Sequence, residues 1–249
     1  MDTSIAAVIT AAGSSTRMGG VKKEYLTLPK VPDSSDAARD ADAVPLTVLG
    51  AAVSAFAACA RIGLIIICVP PNAENGEYAA RRALPERLLL QAVPAIFFVP
   101  GGGSRRISVH HALSTLAGFK PDYVLVHDGA RPWVQPSLID RVIDAVMLYD
   151  AVLPVMPLSE TPKEVEDGFV SRHLKRASIV LAQTPQAFAF NPLLAAHEKA
   201  AERELAESLE YTDDTQIWGE FVGPVAVIEG DKANRKITFP EDLNEPPLK

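Results

Sequence analysis

Residues 5–25 read IAAVITAAGSSTRMGGVKKEY, an apolar, β-branched run that passes directly into a segment rich in glycine and cations. Ile5 to Thr10 is apolar almost without interruption, as in a strand buried on both faces of a parallel sheet. After it, Gly13, Gly19 and Gly20 permit tight turns and close approach of a ligand to backbone amides, which can cradle phosphates. Arg17, Lys22 and Lys23 place three cations in the same segment. Such a set suits a triphosphate, which carries several charges and develops more on its leaving group. The segment is neither a Walker loop nor a G-x-G-x-x-G fingerprint. Taken alone, it also reads as a glycine-rich surface turn before a solvated basic helix start.

Working outward, the strand signal recurs at Leu64 to Val69, Ala95 to Val99, Tyr123 to His127, Ala151 to Val155 and Val225 to Glu229. Helical patterns lie between. Pro45 opens one, with Leu46, Leu49, Val53, Phe56 and Ala60 at helical spacing, and Pro136 opens another, with Ile139, Val142, Ile143 and Val146. Alternation of this kind predicts an α/β, Rossmann-like architecture, a mostly parallel sheet flanked by helices. In such folds ligands bind beyond the C-terminal ends of the strands, so the loops there are where chemistry is sought.

Three further loops carry suitable residues. PGGGSRRISVHHAL, from Pro100, has three glycines and then Ser104, Arg105 and Ser108 at a helix start, where amides attract anions and small hydroxyls read a base edge. An ordinary capped turn accounts for the same residues, and His110 and His111 read as packing or surface residues. HDGARPWV, from His127, sets Asp128 and Arg131 at a strand end, where a carboxylate orients substrate hydroxyls or a hydrated magnesium ion. A buried ion pair between the two is compatible with that role. GDKANRKITFPEDL, from Gly230, offers Lys232, Arg235 and Lys236, followed by Thr238 and Pro240 as the start of a last helix.

Two segments lack a core pattern. Pro29 to Val44 is polar, rich in Asp, Ser and Pro, and predicts an exposed mobile loop. Pro157 to Arg176 has Glu160, Lys163, Glu164, Glu166, Asp167, Arg172, His173 and Lys175 around a few apolar positions and predicts an arm that packs on another subunit. Asn244 to Lys249 is expected to fray.

With 249 residues and 48% hydrophobic content, the expectation is one domain over 1–249 with one large core. A net charge of -7 argues against wholesale binding of nucleic acid, whose phosphates reward a basic surface. Cys59 and Cys68, the two cysteines, supply neither a disulfide framework nor a zinc site, which fits a reducing cytoplasm. The N-terminal residues lack a signal-peptide pattern, and no apolar run approaches the roughly 20 residues that span a bilayer, so no membrane association is expected.

The segments AAGSSTRM, VPGGGSRRISVHHAL, VLVHDGARP, LPVMPLSETPK, LAQTPQAF, YTDD and NRKITFPEDL follow one another in register across nearly the whole chain. Together they resemble the signatures of the bacterial methylerythritol-phosphate cytidylyltransferases. The resemblance implies a nucleotide-diphospho-sugar transferase-like fold, CTP and 2-C-methyl-D-erythritol 4-phosphate as substrates, and Mg2+ as cofactor, held by the CTP phosphates or through water by Asp128. It implies a nucleotide loop at Ala11, Ala12 and Gly13, stabilisation of the reacting phosphate by Arg17 and Lys23, and Lys236 reaching the phosphates. Gly102 and Ser108 fall where the family contacts cytosine. Asp128, Arg131, Thr161, Arg176 and Thr184 match acceptor-binding positions. The arm, about residues 157–178, carries Thr161 and Arg176 into a neighbour's site, so a homodimer is implied.

The chain departs from the family at Lys22-Lys23-Glu24-Tyr25, where Pro-Lys-Gln-Tyr is usual, with one residue fewer after Arg17; this leaves Lys22 and Lys23 both open as the catalytic lysine. Gly103 stands where an acidic residue is common, and the 29–44 insertion is longer than the usual turn. A ribitol-5-phosphate cytidylyltransferase is the nearest alternative, then a nucleotide-binding regulator without turnover. A dinucleotide-dependent dehydrogenase lacks its fingerprint and its ribose-binding acid.

Overall fold

The computed structural model describes residues 3–29, 46–71 and 73–244, so the predicted loop at Pro29 to Val44 lies almost wholly outside the described residues, as do Pro45 and the last five residues. In chain order the elements are β1 (Ile5–Thr10), α1 (Val48–Ala57), β2 (Ile62–Val69), α2 (Ala73–Ala83), α3 (Glu86–Leu90), β3 (Ala95–Pro100), α4 (Arg105–Leu116), β4 (Tyr123–Asp128), α5 (Pro136–Tyr149) and β5 (Ala151–Pro157). After these come β6 (Lys163–Glu166), β7 (Phe169–His173), β8 (Val180–Ala182), β9 (Gln186–Ala189), α6 (Phe190–Glu207), α7 (Asp214–Phe221) and β10 (Ala226–Glu229).

The main sheet runs β10-β5-β9-β4-β1-β2-β3, with β8 added on β5. β1 lies between β4 and β2, parallel to both, and β9 is antiparallel between β4 and β5. Every apolar run read from sequence is therefore a strand, and the mixed character comes from β8 and β9, which were not read. Their segment, Val180 to Ala189, has Gln183, Thr184, Pro185 and Gln186 interrupting its apolar residues, and its two pieces are only three and four residues long. Such short, polar-broken segments give little periodic signal.

Both faces of the sheet are covered, as continuous strand apolarity requires. Ile5, Ala7 and Ile9 pack toward α1, α2 and α5, while Ala6 and Val8 pack with Val109, Leu113 and Leu193 of α4 and α6. α5 begins at Pro136, its lost N–H being one that a first turn leaves unused anyway. α1 begins later than the proline pattern predicts: Thr47 caps it by accepting the Gly50 N–H at 2.9 Å, so Leu46 and Ala60 lie outside the helix. Thr238 likewise does not cap a last α-helix. Asp242 reaches back to the Thr238 and Phe239 amides, at 2.7 and 2.8 Å, and one short 3-10 helix forms over Pro240–Asn244.

The segment read as an arm is a hairpin, β6 and β7, turning at Asp167 and Gly168 with φ of 50° and 82°. Two successive positive φ values make the turn that matches strand twist, which is why Asp-Gly stands there. Every residue of both strands is exposed, including Phe169 at 77%. No helix among the described residues is long and apolar enough to cross a membrane.

Candidate active site

The loops after β1, β2, β3 and β4 converge with the Lys236 segment on a cleft of about 670 Å3 beyond the strand ends. Arg17, Lys23 and Lys236 line it together with Asp128, as do Ala12, Gly13, Gly102 and Ser108. Ala11 is buried behind the loop and presents its carbonyl rather than its side chain.

The two lysines are separated by geometry. Lys22 folds back onto the loop, its Nζ donating to the Ala11 carbonyl at 3.2 Å and to the Gly13 carbonyl. Lys23 instead stands in the field of Lys236, Arg17 and Asp128. Its pKa is lowered, first by burial and then by the Lys236 and Arg17 charges, with Glu24 opposing. Three cations that repel one another in one cleft are stabilised by an incoming polyanion. Both lysines line the cleft, but Lys22 spends its ammonium on the loop carbonyls, whereas among the described residues no such bond ties up Lys23.

The β3 loop is packed so closely that glycine is needed. A Cβ on Gly102 would lie 2.0 Å from Ile107 Cγ2, and one on Gly101 would lie 2.3 Å from Ala12 Cβ and 2.8 Å from Ser108 Oγ. This contact presses the β3 loop onto the β1 loop. Ser104 caps α4 by accepting the Ile107 N–H at 3.2 Å. The Ser108 hydroxyl donates its proton to the Ser104 carbonyl at 2.9 Å and accepts the Gly102 N–H at 3.0 Å. One lone pair remains, so toward a ligand Ser108 can only accept.

Asp128 is the hub of the site. Its carboxylate meets Lys236 Nζ at 2.9 Å, Arg131 Nε at 3.4 Å and Arg105 Nε at 3.6 Å. Burial alone would raise its pKa, but Lys236, Arg105 and Arg131 outweigh it and hold the carboxyl far below the usual range. Arg105 also pairs with Asp214 at 2.6 Å, and burial, which disfavours its charge, is overcome by Asp214 and Asp128. Burial likewise opposes ionisation of Asp214, yet Arg105 and the His197 contact bring it down to about 2. Arg131 donates to the Asn234 carbonyl at 2.8 Å and stands at the back of the cleft, its own pKa lowered by burial.

Arg105, Asp214, His197 and Asn234 thus form a supporting layer that the sequence reading did not assign. Arg105 and the YTDD segment were visible as motif residues, but only the fold shows that Asp214 and Asp128 share one guanidinium. Among the described residues no three His, Cys, Asp or Glu side chains come together to hold a metal ion. With three cations already on Asp128, the protein donors do not fit a magnesium cage, which needs oxygen ligands around the ion.

Thr184 is not presented to the cleft. It is buried, and its hydroxyl accepts the Asp128 N–H at 3.0 Å and contacts His127 Nδ1 at 3.0 Å. His127 Nε2 lies 3.2 Å from the Arg131 carbonyl, which can only accept, so that nitrogen carries the proton and Nδ1 accepts from Thr184. Burial pushes the His127 pKa down to about 4. Between about pH 6.5 and 4 the unfolded chain therefore binds a proton here that the folded chain refuses. This contribution is complete above pH 6.5 and is lost as pH falls, by about 3 kcal/mol at most. In histidine-detected NMR the His127 ring should keep one neutral tautomer from pH 8 to 5; titration near 6.5 would contradict its structural role.

Thr161 and Arg176 stand apart from the chain's own cleft. Both are exposed, and Arg176 Nη1 donates to the Ser159 carbonyl at 2.8 Å. His111 Nδ1 contacts the Pro100 carbonyl at 3.0 Å and His110 stacks on His197, which bears out packing and surface roles for this pair.

A parallel-centred α/β sheet with a cation-lined cleft at its C-terminal edge fits the nucleotidyltransferase class. Within that class the chain belongs to the family described as IspD: 2-C-methyl-D-erythritol 4-phosphate cytidylyltransferase, whose model matches residues 5–246. The 2-C-methyl-D-erythritol 4-phosphate cytidylyltransferase of Pelotomaculum thermopropionicum is 37% identical over 243 residues, 96% of this chain and 91% of that protein. The bifunctional enzyme IspD/IspF of Bartonella tribocorum is 35% identical over 247 residues, 98% of this chain but 56% of that protein. The chain thus spans about half the length of such bifunctional relatives. Among solved structures, 2-C-methyl-D-erythritol 4-phosphate cytidylyltransferase from Thermus thermophilus is 30% identical with a TM-score of 0.70, covering 98% of this chain and 96% of that one. The Francisella tularensis counterpart is 26% identical with a TM-score of 0.73 and 97% coverage of each chain.

Proposed function

We propose that this chain transfers a cytidylyl group from CTP to 2-C-methyl-D-erythritol 4-phosphate, giving 4-diphosphocytidyl-2-C-methyl-D-erythritol and pyrophosphate. Family membership supports the substrates, and the convergence of Arg17, Lys23 and Lys236 on one cleft is the observation that carries the chemistry. The acceptor phosphate has a second pKa near 6 and is largely dianionic at neutral pH, so its oxygen attacks the α-phosphorus without a base. The structure is consistent with that economy, because His127 is neutral, buried and bonded on both nitrogens. The protein's task is positioning and charge stabilisation. Lys23 and Arg17 lie where the α-phosphate charge grows, Lys236 serves the phosphates, and Asp128 with Arg131 receives the acceptor; Thr184 sets the Asp128 backbone from behind. Magnesium carried in on the triphosphate would neutralise part of its charge, with Arg17, Lys23 and Lys236 meeting the rest.

A homodimer is part of the proposal. Thr161 and Arg176 do not line their own cleft, and the hairpin that follows Thr161 exposes Val165, Phe169 and Val170. Both facts are accounted for if the arm completes a partner's acceptor site. Arg176→Ala should then raise the acceptor KM by tenfold or more with little change in the CTP KM, measured by steady-state kinetics; a selective rise in the CTP KM would contradict it. A cytoplasmic location also belongs to the proposal, in keeping with free Cys59 and Cys68.

The transfer itself is tested with CTP labelled on its α-phosphate. The label should move into an organic product with methylerythritol 4-phosphate and stay out of pyrophosphate. Labelled product formed only with ribitol 5-phosphate would assign the other acceptor.

A further inference from the structure

We infer that Glu210 is a specificity-determining residue, the carboxylate that accepts from the exocyclic amino group of cytosine and turns uracil away; this rests on the cytidylyl-transfer function proposed above. Glu210 lines the same cleft as Gly102, Gly103, Ser104 and Ser108, and the family resemblance sets the base against Gly102 and Ser108. It stands in the connection between α6 and α7, four residues before Asp214, which is locked onto Arg105 of α4 at 2.6 Å. The next residue, Tyr211, is 2% exposed and anchored twice, its N–H to Glu204 at 3.3 Å and its hydroxyl to Glu220 at 2.8 Å. The Asp214–Arg105 pair thereby ties the connection that carries Glu210 to the start of α4, which follows the β3 loop.

The carboxylate forms no ion pair or hydrogen bond with any other described residue. In a cleft whose cations gather for a polyphosphate, an unneutralised anion beside the phosphates would repel them. At the base end the same anion has a use. Cytosine and uracil differ on one edge by an amino donor against a carbonyl acceptor, and a carboxylate accepts from that amino group. The second acceptor is Ser108, whose only proton is spent on the Ser104 carbonyl. Gly103 supplies no side chain, so Glu210 and Ser108 meet the base as two acceptors. Uracil would set its O4, also an acceptor, against the Glu210 carboxylate and leave that carboxylate desolvated and unpaired.

The test is the ratio of kcat/KM for CTP to that for UTP, in wild type, Glu210→Gln and Glu210→Ala. The wild type should favour CTP, and both variants should lower the ratio about tenfold or more, the scale of one discriminating hydrogen bond to a base edge. A purely electrostatic carboxylate would change both nucleotides alike, so an unchanged ratio overturns the inference. Protein that turns over no nucleoside triphosphate would overturn the transferase function instead, and calorimetry would still decide: a CTP-over-UTP binding preference that survives Glu210→Ala removes Glu210 from recognition.

Discussion

Lys23→Ala lowers kcat by roughly 10² to 10³, the scale for deleting one preorganised donor that stabilises charge only as it develops. The same change at Lys22 acts differently. Lys22 spends its ammonium on the Ala11 and Gly13 carbonyls, so its removal loosens the nucleotide loop and raises the CTP KM, with kcat kept within about tenfold. The contrast separates a transition-state contact from loop anchoring. Arg17→Ala, which removes another cation lining the same cleft, should fall with Lys23→Ala. Steady-state kinetics with both lysine variants checks the assignment, and equal kcat losses at the two positions would show that the fold does not distinguish them.

Asp128→Asn produces the largest combined loss, in stability as well as turnover. It removes the anion shared by Lys236, Arg131 and Arg105. Stripping one partner from a buried ionic cluster costs about 3 to 5 kcal/mol, because the remaining charges stay desolvated. Lys236 contributes least to that cost. Its side chain is 41% exposed, and water screens it, whereas Arg131 and Arg105 are 11% and 24% exposed. Melting should drop by roughly 10 °C for a chain of this size, and kcat/KM should fall by about 10³. Lys236→Met should cost under about 1 kcal/mol of stability while still slowing turnover. Thermal unfolding and kinetics on the two variants test this together; an Asp128→Asn protein that melts within about 2 °C of wild type and keeps turnover within tenfold would remove the hub from the account.

The sheet was legible because its strands are buried on both faces. Ile5 to Thr10 and Ile62–Val69 need apolar residues at consecutive positions, a pattern few other structures impose. The hairpin of the arm and the short β8 and β9 were not legible for the opposite reason: exposed or polar-interrupted strands take their residues from a turn, a partner or a site, not from a core period. At the site, residues that project from strand ends were readable as motifs, and Arg17, Lys23, Asp128 and Lys236 do share one cleft. What the motifs left open was direction. Adjacent Lys22 and Lys23 have the same chemistry, and only the fold shows that Lys22 is bonded to the Ala11 and Gly13 carbonyls while Lys23 meets Lys236, Arg17 and Asp128. The same holds for Thr184, whose hydroxyl type suits acceptor binding but which the β9 approach places behind Asp128. Asp214 was beyond reach because its partner Arg105 is 109 residues away in sequence.

Pyrophosphate release from the purified chain with magnesium, each of the four ribonucleoside triphosphates and either methylerythritol 4-phosphate or ribitol 5-phosphate tests the central claim most directly. Cytidylyl transfer to methylerythritol 4-phosphate predicts release in the single combination of CTP with that acceptor. Release with a different triphosphate, or with ribitol 5-phosphate alone, would contradict the assigned substrates, and no release in any combination would contradict transferase activity itself.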